Sequence, residues 1–154
     1  MKLQPTPAQA MALLASGLLD VEDFPDIAAR WLADGMDSEN LRRLAGADHE
    51  DPNDIRDLWT ATLKDLEIQA IPVENRWPLI WSYELATWKA GERTKGKVLR
   101  DAVRYLQEVE YEDRDAEEAW DLWYLWDELG STYDPPRTDA EIWADVDRYL
   151  HTFD

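Results

Sequence analysis

The chain has 154 residues, with 34 Asp and Glu against 16 Lys and Arg, a formal charge of −18, no cysteine and nine tryptophans. That acidic excess argues against direct binding of nucleic acid or an anionic membrane surface, which need Lys and Arg on the contact face. Zero cysteine removes disulfides, thiolate metal sites and thiol nucleophiles together.

Hydrophobic residues make up 45 %, ordinary for a globular chain and too many for a disordered one. The apolar period is helical almost throughout. Thr6-Pro7-Ala8-Gln9 has the capping-box pattern with proline at the first helical position, which predicts a helix from Pro7 to Ser16, ended by Gly17. Asp23-Phe24-Pro25 opens a second, whose Phe24, Ile27, Ala28, Trp31 and Leu32 form the stripe of a half-buried helix, with Gly35 as its stop. Asp37 or Ser38 caps a short third helix that Gly46 closes, and Asp51-Pro52 starts a fourth with Ile55, Leu58, Trp59, Thr62, Leu63 and Leu66 in register. Gln69 to Arg76, with Pro72 inside it, reads as a linker.

Beyond it, Trp77-Pro78 is expected to begin a helix to Ala90, followed by a turn at Gly91 to Gly96 and a sixth helix from Lys97. The acidic stretch Glu110 to Asp115 breaks that helix or lies at its end. A seventh helix covers Ala116 to Leu129 and stops at Gly130; Asp134-Pro135-Pro136 is a rigid loop, and Thr138 with Glu141 forms a second capping box that opens a last helix through Leu150. The expected fold is all-α: an irregular bundle of about seven or eight helices in two packed subdomains, residues 1–69 and 70–154. No internal repeat emerges. The apolar run Ala10 to Leu19 is short and follows Pro5-Thr6-Pro7, so it reads as a helix rather than a signal peptide, and no run reaches the ~20 residues of a membrane span. The expected location is cytoplasmic.

On a helical wheel the apolar residues of Ala116 to Leu129 cover about 260° of arc. Either this is the central helix of the C-terminal subdomain, or part of its Trp face meets another molecule. In the helix from Trp77, Glu84 falls within the stripe of Trp77, Ile80, Trp81 and Trp88: it is either a helix-rim residue, or a buried acceptor that needs a donor such as an indole N–H or Arg76, or a carboxylate with a raised pKa.

Charge is uneven. Residues 92–104 hold Arg93, Lys95, Lys97, Arg100 and Arg104 against Glu92 and Asp101. Glu108 to Glu128 hold ten acids and one base, Arg114, so half of the net charge lies in 21 residues. This stretch is either a solvated face or a docking surface for a basic partner. The candidate contact residues are Glu112, Asp113, Asp115, Glu117, Glu118, Trp120, Asp121, Trp123, Tyr124, Asp127 and Glu128.

Enzyme signatures are sparse. His49 and His151 have no second histidine at metal-ligand spacing, and Pro52 together with a missing central glycine breaks the EF-hand pattern in Asp48 to Asp54. There is no GxSxG, P-loop or GxGxxG pattern. No catalytic residue, metal site or cofactor is therefore expected.

Small, strongly acidic, cysteine-free, helical and Trp-rich without a catalytic motif, the chain resembles bacterial immunity proteins. That resemblance implies a basic protein partner, such as a cognate toxin nuclease, blocked by occlusion. The pattern Ala29-Arg30-Trp31-Leu32-Ala33-Asp34-Gly35 followed by Asp37 to Gly46 is also similar to helical segments of actinobacterial proteins, a likeness that implies no activity. Two other readings stay open: an acidic mimic of nucleic acid that acts on a DNA-binding or defence protein, and an enzyme that uses paired carboxylates.

Overall fold

The computed structural model describes residues 2–130 and 137–154. The predicted loop Asp134-Pro135-Pro136 lies outside them. Among the described residues there are eight α-helices, one short 3-10 helix at Val21–Asp23 and no strand, so the fold is all-α. No described helix is long and apolar enough to cross a membrane. The chain divides into two compact units, one ending at Pro72 and the other starting at Val73.

The first unit holds α1 (Pro7–Ala15), α2 (Phe24–Ala33), α3 (Glu39–Ala45) and α4 (Pro52–Asp65). Side-chain caps start three of these helices: Thr6 accepts from the Gln9 amide in a full capping box, Ser38 from Leu41, and Asp51 from Asn53. Each cap satisfies an amide that the first turn leaves without a partner. The core gathers Phe24, Ile27, Ala28 and Trp31 of α2 with Leu41 and Leu44 of α3 and Ile55 and Trp59 of α4. Trp59 stacks on Phe24 at 4.1 Å and lies 5.5 Å from Trp31. The two indoles differ in their polar ends: Trp31 Nε1 donates to the Pro5 carbonyl at 3.0 Å, whereas buried Trp59 Nε1 has no acceptor among the described residues.

The second unit holds α5 (Val73–Lys89), α6 (Lys95–Glu108), α7 (Glu117–Glu128) and α8 (Asp139–His151). Its central element is α6, with seven buried residues that include Val98, Leu99, Ala102, Tyr105 and Leu106. It packs most extensively on α7 and also contacts α5 and α8. Trp77 of α5 seals this core, 5.0 Å from Tyr105 and 5.8 Å from Trp81.

Two boundaries depart from expectation. The fifth helix begins at Val73, four residues before Trp77, so Pro78 stands inside it and Glu74 to Arg76 belong to the helix rather than to a linker. Proline has no N–H to give to the Glu74 carbonyl, and the helix runs on with that one bond missing. The sixth begins at Lys95 because Thr94 caps it, its hydroxyl accepting from the Lys97 amide at 3.1 Å.

The unequal polar ends of the two neighbouring core tryptophans set a measurable contrast. Trp31→Phe loses volume and a made hydrogen bond, worth about 1 kcal/mol; Trp59→Phe loses similar volume but relieves an unpaired buried donor. Urea unfolding should find Trp31→Phe the more damaging by about 1 kcal/mol or more, and equal losses would refute this account of the two indoles.

Candidate functional site

The sequence-predicted residues lie on α7 and on the connector that leads into it. The connector starts with an unusual turn. After α6 ends, Glu110 and Tyr111 both adopt left-handed backbone, with φ of 53° and 60°, although neither is glycine. The Tyr111 amide closes the turn on the Leu106 carbonyl at 2.7 Å. Two adjacent non-glycine residues in this region cost roughly 1–2 kcal/mol each, so surrounding contacts hold them there. The turn puts the Tyr111 ring 6.0 Å from Trp120 and 6.1 Å from Trp123.

From there the rings continue along α7. Trp120 lies 5.9 Å from Trp123 and 6.4 Å from Tyr124, and Trp123 lies 5.4 Å from Tyr124 and 6.4 Å from Trp126. These spacings suit offset and edge-on aromatic pairs. Within α7 only Ala119 and Leu122 are fully buried, so this is not the central helix that its composition allowed. Tyr111 is 41 % exposed, Tyr124 61 % and Trp126 37 %, three of the five large apolar side chains exposed among the described residues. Trp120 and Trp123 are half-buried beneath them. The Trp123 indole nitrogen is covered and has no acceptor among the described residues. By contrast Trp31, Trp59, Trp77 and Trp81 are core residues.

The carboxylates divide into two sets. Asp113, Glu118, Asp121 and Glu128 are engaged by the protein itself. Tyr105 donates its hydroxyl to Asp113, whose backbone carbonyl also accepts from Trp120 Nε1 at 2.9 Å. Trp77 Nε1 donates to Glu118 at 2.9 Å, Tyr149 to Asp121 at 2.8 Å, and Arg137 pairs with Glu128. Burial and the adjacent carboxylates push the Tyr105 and Tyr149 hydroxyls well above the usual phenol range, so both stay protonated donors. Glu112, Asp115, Glu117 and Asp127 are exposed and form no ion pair among the described residues. The expected patch is thus half structural: its engaged acids fix α7 and its connector, and the other four are left to solvent.

A second feature is Glu84. It is 1 % exposed and Asp101 2 %, and the two carboxyls lie close together. The cation beside them is Arg93 rather than the expected Arg76. Its Nη1 lies 3.2 Å from Glu84 Oε1 and 2.5 Å from Asp101 Oδ2, and its Nε donates to Thr87 Oγ1 at 2.9 Å. Lys97 adds a bond to Asp101 at 2.7 Å. Neither Glu84 oxygen accepts a hydrogen bond. A protonated Glu84 resolves this, because its hydroxyl becomes a donor to Asp101. Burial, with the hydrogen bond and like charge of Asp101 added, pushes the Glu84 carboxyl up to about 10, against the opposing pull of Arg93 and Lys97. The pair is sealed from solvent and joins α5 to α6.

Among the described residues no group of three or more His, Asp or Glu side chains is placed to hold a metal ion. In the Asp48 to Asp54 loop, Asp51 is used as the α4 cap and Asp48 pairs with His49 at 3.4 Å. Comparison with models of known protein families, with curated proteins and with solved structures finds no significant match to this chain.

Two measurements test this division. Trp77→Ala should cost about 3–5 kcal/mol in denaturant unfolding, whereas Trp126→Ala should stay within about 1 kcal/mol of the parent; comparable losses would return Trp126 to the core. The Glu84 proton stabilises the fold fully below the ordinary carboxylate range, and that contribution drains away as pH rises to about 10. Unfolding free energy should therefore fall between pH 5 and 10, and Glu84→Gln should flatten that slope by as much as one proton; an unchanged slope would place the charge on Glu84 after all.

Proposed function

We propose that this protein is a binding module of the immunity type, which occludes a basic protein partner, such as a toxin nuclease, through the aromatic and acidic face of α7. One observation carries the reading. Tyr111, Tyr124 and Trp126 stand exposed in a continuous aromatic row, flanked by Glu112, Asp115, Glu117 and Asp127, which pair with no cation among the described residues. Exposed Trp and Tyr over a packed base are the commonest anchors of protein interfaces. Uncompensated acids around them attract a basic partner from a distance and orient its approach.

Several features support this reading over its rivals. The face is aromatic at its centre, where a mimic of a phosphate backbone has no use for large apolar rings. Its rings are already held by α7 packing and by the Tyr111 turn, so binding them costs little side-chain ordering. The expected inhibition is steric and electrostatic, with no chemistry required of either partner.

The test begins with affinity capture from the native host, followed by stopped-flow kinetics with the purified partner. The association rate should fall steeply with ionic strength. Replacing Glu112, Asp115, Glu117 and Asp127 by their amides should slow association by about 10-fold or more. Trp126→Ala should act mainly on dissociation, accelerating it. An association rate indifferent to salt would remove the steering role, and displacement of DNA from several unrelated DNA-binding proteins would favour nucleic-acid mimicry instead.

A further inference from the structure

On the side of α7 that faces α8 lies an open groove of about 800 Å³. Its walls are the rings of Tyr124 and Tyr149, with Leu125 between the helices, and four carboxylates line it. Two of these are already neutralised: Arg137 bridges Glu128 and Asp145, and Arg148 adds a second pair to Asp145 at 2.7 Å. The other two lack a cation. Asp121 accepts only from the neutral Tyr149 hydroxyl at 2.8 Å, and Asp127 has no side-chain partner among the described residues. Arg148 also lines the groove but is paired with Asp145, so the groove offers apolar, flat-faced walls together with two carboxylates, Asp121 and Asp127, that form no ion pair among the described residues.

The spacing of these groups selects among cations. Asp121, Tyr124 and Asp127 follow one another at intervals of three residues, so the ring of Tyr124 has one uncompensated carboxylate a turn before it and another a turn after it. A planar cation lying on that ring has a carboxylate at i,i+3 spacing on either side of it. Guanidinium meets this demand: it is flat, stacks on aromatic faces, is weakly hydrated and carries donors along several edges. Ammonium is a compact, strongly hydrated point charge and gains less from the ring. The three-carbon stem of arginine can run along the groove past Leu125 and Tyr149. A second copy of this chain is a poor occupant, since each molecule brings a charge of −18 to the encounter.

We infer that the groove between α7 and α8 is the receptor for an arginine side chain of the basic protein partner, stacked on Tyr124 and paired with Asp121 and Asp127. This rests on the proposed binding role and adds to it a specificity site. Tyr124, the most exposed ring of the aromatic row, serves both surfaces, as a member of the row and as a wall of the groove.

The test uses the intact chain and three synthetic peptides of one length, each with a single variable residue in a fixed basic context: arginine, lysine or citrulline. Affinities are read by calorimetry at constant ionic strength. The arginine peptide should bind at least 5-fold more tightly than the lysine peptide, about 1 kcal/mol, and citrulline, which has the same shape without the charge, should bind weakest. Asp127→Asn and Tyr124→Ala should each erase most of the arginine preference. Glu112→Gln removes one charge away from the groove and should lower all three affinities slightly while preserving their order. Equal binding of arginine and lysine peptides would overturn the guanidinium assignment, and an equal effect of Asp127→Asn and Glu112→Gln would reduce the groove to bulk charge. Either result leaves the binding role standing, because that role is judged by the captured partner and its salt-dependent association. Salt-independent association beside an intact arginine preference would strike the binding role alone.

Discussion

A carboxylate beside an aromatic core loses its water, and it remains charged there only if a donor replaces that water. The second unit meets this constraint with aromatic donors. Tyr105 and Trp77, from two different helices, each give a hydrogen bond to a half-buried acid, Asp113 and Glu118, Tyr149 gives one to the exposed Asp121, and Trp120 returns one to the Asp113 carbonyl. The same residue types that overload this region with charge thus become its fastenings. α7 is held at its start by Asp113 and Glu118, near its middle by Asp121 and at its end by Glu128. So fixed, it buries only Ala119 and Leu122 completely, and Tyr124 and Trp126 face outward beside half-buried Trp120 and Trp123.

The buried pair on the other flank of α6 follows the same constraint with a different solution. Glu84 and Asp101 are too deep for solvent, and the arginine and lysine beside them do not compensate two full charges at that depth. One carboxyl therefore keeps its proton and becomes a donor to the other. Arg93 is placed for this by the turn after α5, where Thr87 accepts from its Nε and the Tyr83 ring lies 5.5 Å beneath it. The neutralised acid lies inside and the ionised acids lie outside, both arranged around one amphipathic helix. In this light the basic run of residues 92–104 is partly a structural device: Arg93 and Lys97 serve Asp101, while Arg100 and Arg104 remain at the surface.

Most of the helix positions were legible because local chemistry declares them. Thr6, Ser38, Asp51 and Thr138 stand where a cap is needed, and each accepts the expected amide. The start of α5 was not legible, since Pro78 resembles a first-turn proline and nothing local shows that the helix tolerates one missing bond further in. The aromatic row was legible only as a composition. Its first ring, Tyr111, comes from outside α7, and the left-handed turn that delivers it contains neither glycine nor asparagine to announce it. Glu84 was visible as a misplaced charge on an apolar stripe, but its partners come from the following turn and helix, a pairing that helical periodicity does not encode.

The strain of that turn bears on what the face is for. Two left-handed residues raise the energy of the folded chain by a few kcal/mol, and at Glu110 the helix stop offsets part of this, because the Glu110 and Tyr111 amides satisfy the Gln107 and Leu106 carbonyls, as the same geometry at Glu67 does after α4. The second left-handed residue also seats Tyr111 against Trp120 and Trp123, which extends the aromatic row back beyond the start of α7. The packing gained there is modest, because Tyr111 stays 41 % exposed. A contact that costs backbone strain and leaves its ring in water is poorly explained by the stability of this unit alone. A second surface that completed its burial would recover that cost, which is what the proposed binding role requires of this face.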